Sequence, residues 1–109
     1  MAIDYKVLGQ SNPAANTLAN IYTVSSFKET VISTIAVCNQ TNVATRFSLA
    51  VRPGGANLES KHYITYRTAL PALDTITLTW GITMGNTDVI TANVESSNVS
   101  ISVFGSEIS

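Results

Sequence analysis

Apolar and polar residues alternate along most of this chain, with the period of two that belongs to a β-strand and not to a helix. The strictest case is Thr75-Ile76-Thr77-Leu78-Thr79-Trp80, which sets Ile76, Leu78 and Trp80 on one side and threonines on the other. Thr30 to Cys38 is the longest such segment. Val31, Ser33, Ile35 and Val37 share one of its faces and Ile32, Thr34, Ala36 and Cys38 the other, as suits a central strand. In Ala44 to Arg52, Phe47, Leu49 and Val51 alternate with Arg46, Ser48, Ala50 and Arg52, and the polar run Asn39-Gln40-Thr41-Asn42 before it predicts a hairpin between these two strands. Shorter strands are predicted over Ile3 to Leu8, Ile21 to Val24, Lys61 to Arg67, Ile82 to Met84, Val89 to Val94 and Val99 to Phe104.

Turn formers separate these segments at Gly9-Gln10-Ser11-Asn12-Pro13, Pro53-Gly54-Gly55-Ala56, Leu70-Pro71-Ala72-Leu73-Asp74 and Gly85-Asn86-Thr87-Asp88, where proline cannot donate to a ladder and glycine admits positive φ. Gly81 falls inside a strand pattern and suggests a bulge or bend. No segment of helical period is long enough to make a helix, and no internal repeat or linker interrupts the order. The pattern predicts an all-β chain: one domain over residues 1–109, folded as an antiparallel, jelly-roll-like β-sandwich of about seven or eight short strands.

Composition adds a constraint on the surface. Charged residues are 12% of the 109 residues and hydrophobic ones 45%, so much of the exterior must be uncharged Ser, Thr, Asn and Ala, which tolerate burial against partners. A chain this short has a modest core, and oligomerisation is the expected source of further contacts. With a net charge of −1 and basic residues scattered at Lys6, Lys28, Arg46, Arg52, Lys61 and Arg67, there is no stripe to neutralise phosphates, and nucleic acid is not an expected partner. The start of the sequence shows no signal-peptide pattern and no apolar run approaches bilayer length, so synthesis in a cytosol without membrane insertion is expected. Cys38 is the one cysteine; it supports no internal disulfide and reads as a core thiol near a strand end.

The residues offer little chemistry. His62 is the one histidine, and nothing in the sequence brings a serine and an acid to it. One His and one Cys fall short of a zinc site, and Pro53-Gly54-Gly55-Ala56 lacks the Lys-Ser/Thr pair and helix of a phosphate loop. Glu59, Asp74, Asp88 and Glu95 sit near strand ends, where carboxylates commonly accept backbone hydrogen bonds. Asn39-Gln40-Thr41 and Asn98-Val99-Ser100 match the glycosylation pattern but lack a secretory context. The expectation is a binding protein: no enzyme, no cofactor, no metal. Trp80 is assigned to the core. Tyr63 and Tyr66, three apart in a strand, are expected on opposite faces, one inside and one at an interface. Partner contacts are expected on Gly9 to Asn20, on Pro53 to Lys61 and on the tail Phe104 to Ser109, with Arg52, His62, Tyr63 and Arg67 flanking the second loop as interface residues.

Tyr5-Lys6-Val7-Leu8-Gly9-Gln10 with Asn12-Pro13, Val51-Arg52-Pro53-Gly54-Gly55-Ala56, His62-Tyr63, Asp74-Thr75-Ile76-Thr77-Leu78 and Phe104-Gly105-Ser106-Glu107-Ile108 together resemble the small virion structural proteins of tailed phages, especially cyanophages. The likeness runs from end to end. It implies a capsid cement or decoration protein, assembled in the host cytoplasm, that binds the major capsid protein or other virion proteins as a homo-oligomer, a trimer being favoured. The alternative it leaves open is a tail, neck or fibre component, including one that binds carbohydrate; that function would need exposed aromatics beside Asn or Asp groups.

Overall fold

The computed structural model describes residues 3–79 and 81–109. The alternating segments become nine strands: β1 (Ile3–Ser11), β2 (Ala19–Thr23), β3 (Glu29–Asn39), β4 (Thr45–Arg52), β5 (Tyr63–Leu70), β6 (Thr75–Leu78), β7 (Ile82–Met84), β8 (Val89–Val94) and β9 (Val99–Ile108). Two 3-10 turns, Pro53–Gly55 and Ser60–His62, join β4 to β5, and there is no α-helix among the described residues. Trp80, assigned above to the core, lies outside the described residues.

Every pairing is antiparallel, and the strands form two sheets, one in the order β1-β9-β3-β6 with β7 also on β3, the other in the order β2-β8-β4-β5. β6 meets Ile35–Cys38 and β7 meets Thr30–Ile32, so the two are halves of one edge broken at Gly81, whose φ is 64°. Counted as one strand, they leave eight, paired in nested fashion: first with last, second with second-last, and inward to the β4–β5 pair. Rolled into two layers, that nest is the double-sheet jelly roll. The inner faces supply the core, where Ile32, Ile35, Val37, Phe47, Leu49, Leu70, Ile90, Val94, Val99, Ile101 and Val103 are all nearly inaccessible to solvent. The all-β sandwich read from the sequence is the fold observed.

The predicted hairpin between β3 and β4 does not form, because the two strands lie in different sheets. Both bury an apolar face, Ile35 and Val37 on one and Phe47 and Leu49 on the other, and in a sandwich both faces can be covered when the strands oppose each other across the core. The polar run after β3 is a crossover held by a buried side chain. Asn39 Nδ2 donates to the carbonyls of Val43 (2.9 Å) and Pro71 (3.2 Å), and its Oδ1 accepts from Thr41 N (2.9 Å) and Oγ1 (2.7 Å). A residue that reads as a turn former is thus almost fully buried and ties the β3–β4 crossover to the β5–β6 crossover.

The face assignment along β3 also changes partway. The register with β9 slips between Ile32 and Thr34, which leaves Ser33 as an extra residue, and the buried set switches from Thr30 and Ile32 to Ile35, Val37 and Asn39. Strict alternation therefore placed half of this strand the wrong way round. Cys38 follows the second parity and is only half-buried beside Thr75 and Ser100, not in the core. β9 runs on through the residues read as a contact tail, so that Gly105 to Ile108 pair with β1 on one side and β3 on the other. Gly105 has no room for a side chain there, since a Cβ would lie 2.2 Å from the Val31 carbonyl oxygen.

Candidate binding surfaces

The outer face of the first sheet carries rows of three residues, one from each of β1, β9 and β3. Tyr5, Ser106 and Val31 make one row and Val7, Phe104 and Thr34 the next. Ile3, Tyr5, Val7 and Val31 are all exposed, Tyr5 by 83%, and a shallow hollow lies between Tyr5, Val31, Ser33 and Phe104. The alternation that buries a strand's inner residues here leaves its apolar outer residues in water.

Beneath this face sits a buried ionic group. Glu107 of β9 is 6% exposed; its Oε1 lies 2.6 Å from Lys6 Nζ and 3.7 Å from Lys28 Nζ, while its Oε2 accepts a hydrogen bond from Tyr22 Oη at 2.7 Å. Tyr22 Oη is also 2.8 Å from Thr30 Oγ1. The Lys6 ammonium and the tyrosine hydroxyl hold the Glu107 carboxyl below its ordinary value against the opposing effect of burial. Its pairing with Glu107 in turn raises Lys6, and burial, with the carboxylate adjacent, pushes the Tyr22 phenol up to about 12. The group clamps β1, β2, β3 and β9 together.

The four residues read from the sequence as an interface fall into two pairs. Arg52 is committed internally: Nε donates to Thr91 Oγ1 (2.9 Å), Nη2 to Asn20 Oδ1 (2.9 Å) and Nη1 to the carbonyl of Ala56 (3.0 Å), so its guanidinium staples β2, β8 and the Pro53–Gly55 turn. His62 is buried, and its Nδ1 accepts from the backbone N–H of Glu59 at 3.0 Å. Tyr63 and Arg67, by contrast, line one cleft on the outer face of the second sheet.

That cleft exists because β5 carries two bulges against β4. Between the pairs Phe47–Thr68 and Leu49–Thr65, Ser48 alone opposes both Tyr66 and Arg67, and Ile64 is a further extra residue before Ala50 meets Tyr63. Arg67 takes a left-handed φ of 48° at the first bulge. The extra residues put Tyr63 and Tyr66 on the same side, with ring centroids 4.9 Å apart and planes at 74°. Neither tyrosine is in the core, so the expectation of opposite faces fails through register, not through composition. Two hollows meet at these rings: one of about 550 Å³ bounded by Leu58, Glu59 and Ser60, and one of about 290 Å³ bounded by Asn16, Ser48, Arg67, Asn93 and Glu95. Arg67 Nε donates to Glu95 Oε2 at 3.0 Å, and the Arg67 backbone N–H donates to Ser48 Oγ at 2.8 Å. Asn93 Oδ1 is shielded from solvent and accepts no hydrogen bond. Ser48 and Asn93 went unnoticed in the sequence and Asn16 was covered only within the Gly9 to Asn20 loop, because only the pairing of Ser48 with Asn93 across β4 and β8 and the return of the β1–β2 loop onto Val94 bring them together.

The carboxylates do little else. Asp88 accepts from the backbone N–H groups of Gly54 (2.8 Å) and Gly85 (2.9 Å), and Asp74 accepts from that of Thr75 (2.8 Å), so both brace turns. Among the described residues no three His, Cys, Asp or Glu side chains gather in a way that could hold a metal ion.

No protein-family model matches the chain, and no curated protein matches its sequence. Among solved structures, a chain in the structure of infectious bursal disease virus, Gx strain, is similar over 97% of this protein, with a TM-score of 0.56 and 7% sequence identity. At that identity the likeness is one of fold. This protein spans 32% of the length of that viral chain.

Proposed function

We propose that this protein is a non-enzymatic structural component of a phage virion, and within it a cement or decoration protein that binds the major capsid shell as a homo-oligomer. The observation that carries the reading is the apolar outer face of the first sheet, where Ile3, Tyr5, Val7 and Val31 stand exposed over a clamped, rigid set of strands. A contiguous apolar patch of this kind is what an interaction site presents before its partner arrives. Three further points support it. The jelly roll is a fold that capsid proteins use, the likeness to a chain in a virus structure covers nearly the whole protein, and the sequence resembles small phage virion proteins.

Assembly by this face has a direct test. The double variant Tyr5→Ser, Val7→Ser should shift its thermal midpoint only slightly, because Tyr5 is 83% and Val7 51% exposed, yet lose self-association in light scattering and lose binding to capsids that lack the protein. A wild-type protein that stays monomeric at high concentration and ignores such capsids sinks the cement reading, and a tail, neck or fibre position then becomes the better assignment.

A further inference from the structure

We propose that the cleft around Tyr63 and Tyr66 is a binding site for a neutral saccharide. A pyranose ring presents an apolar face of C–H groups and a rim of hydroxyls, so its receptor needs an exposed aromatic surface with hydrogen-bonding groups placed around it. The outer face of the second sheet supplies both. Tyr66 is 65% exposed and offers its ring as a platform, while Tyr63 stands edge-on to it as a wall. Around them lie Asn16, Ser48 and Asn93, and the combined hollows are large enough for one or two sugar rings.

Two details favour a neutral, hydroxyl-bearing ligand over other occupants. The smaller hollow sets the uncharged polar side chains of Asn16, Ser48 and Asn93 beside the two tyrosines, the mix of hydrogen-bonding groups and aromatic surface that a sugar requires. The charges of the site are already answered, Arg67 by Glu95 and Glu59 by Lys61, which leaves no free positive group among the described lining residues for a sulfate or sialate. The exposed tyrosines are brought to one side by two bulges in one strand. The cleft and the apolar stripe lie on opposite sheets, so a copy docked through the first sheet would hold the cleft outward.

The test is an array of neutral, sialylated and sulfated glycans, followed by a 1H–15N titration of the intact protein with the strongest binder. Binding to neutral glycans, with shifts centred on Ser48, Tyr63, Tyr66 and Asn93, is the expected result. Tyr66→Ala should weaken that binding by about tenfold or more at an unchanged thermal midpoint. Asn93→Ala, which trims the polar lining of the smaller hollow, should weaken it as well; a purely structural asparagine would lower the melting temperature and leave glycan binding as in the wild type. The proposal is overturned by absence of binding at millimolar glycan, by preference for acidic glycans, by shifts centred elsewhere, by Tyr66→Ala binding as wild type, or by protection of Tyr66 on docking to capsids in a protein that binds no glycan.

Discussion

Glu107 shows how much can rest on one side chain. Its carboxylate is buried but answered by Lys6, Lys28 and Tyr22, and its acidity is displaced downward from the ordinary 4.5. A group whose folded-state value is depressed adds stability that is present above pH 4.5 and is lost as pH falls through the folded value. Tyr22 acts at the other end: because its folded value is raised from 10 to about 12, the stability it adds is present below pH 10 and fades between pH 10 and about 12. Thermal melts across pH 2 to 12 should therefore show a plateau with both limbs falling, and Glu107→Gln should flatten the acid limb. Glu107→Ala should cost about 1–3 kcal/mol, the penalty for leaving the buried Tyr22 hydroxyl without its acceptor. Arg52→Ala should also destabilise, by about 1–2 kcal/mol, because its donors join three backbone segments; urea unfolding measures it.

Strand existence is legible from local pattern, whereas pairing and parity are not. Thr75 to Leu78 and Val99 to Phe104 alternate in the sequence as they do in the sheets, and the turn at Gly85–Asp88 closes where its residues suggest. Ser33, Leu8, Ile64 and the Tyr66–Arg67 pair are different, because a bulge is a response to the neighbouring strand and leaves no mark in its own period. The same holds for Asn39, whose residue type signals a turn while its burial reflects loops from distant parts of the chain. The cleft suffers most from this, since two of its tyrosines are visible in the sequence and the register that unites them is not. Gly105 tests the strand-level account: Gly105→Ala forces β9 away from Val31 and should cost about 1–3 kcal/mol in urea unfolding, with peptide hydrogens of β3 around Ile32 exchanging faster.

At the scale of the molecule, the nested pairing joins Ile3 to Ile108 and Ala19 to Ala92, so the contacts that define both sheets link residues far apart in sequence. Topologies of this kind fold slowly, and stopped-flow refolding from urea should proceed on the millisecond-to-second scale, not in microseconds. The position of β9 has another consequence, which concerns time. It is the middle strand of every row on the apolar face, yet it comes after the other eight strands in the chain; at about 5–20 residues per second the stretch from Asn12 to Asn98 alone takes roughly 4 to 17 s. Through that interval Tyr5 and Val7 have no neighbour to be aligned by, and the rows through Ser106 and Phe104 lack their centre. A chain halted before β9 is made thus has no assembled apolar face to offer a partner.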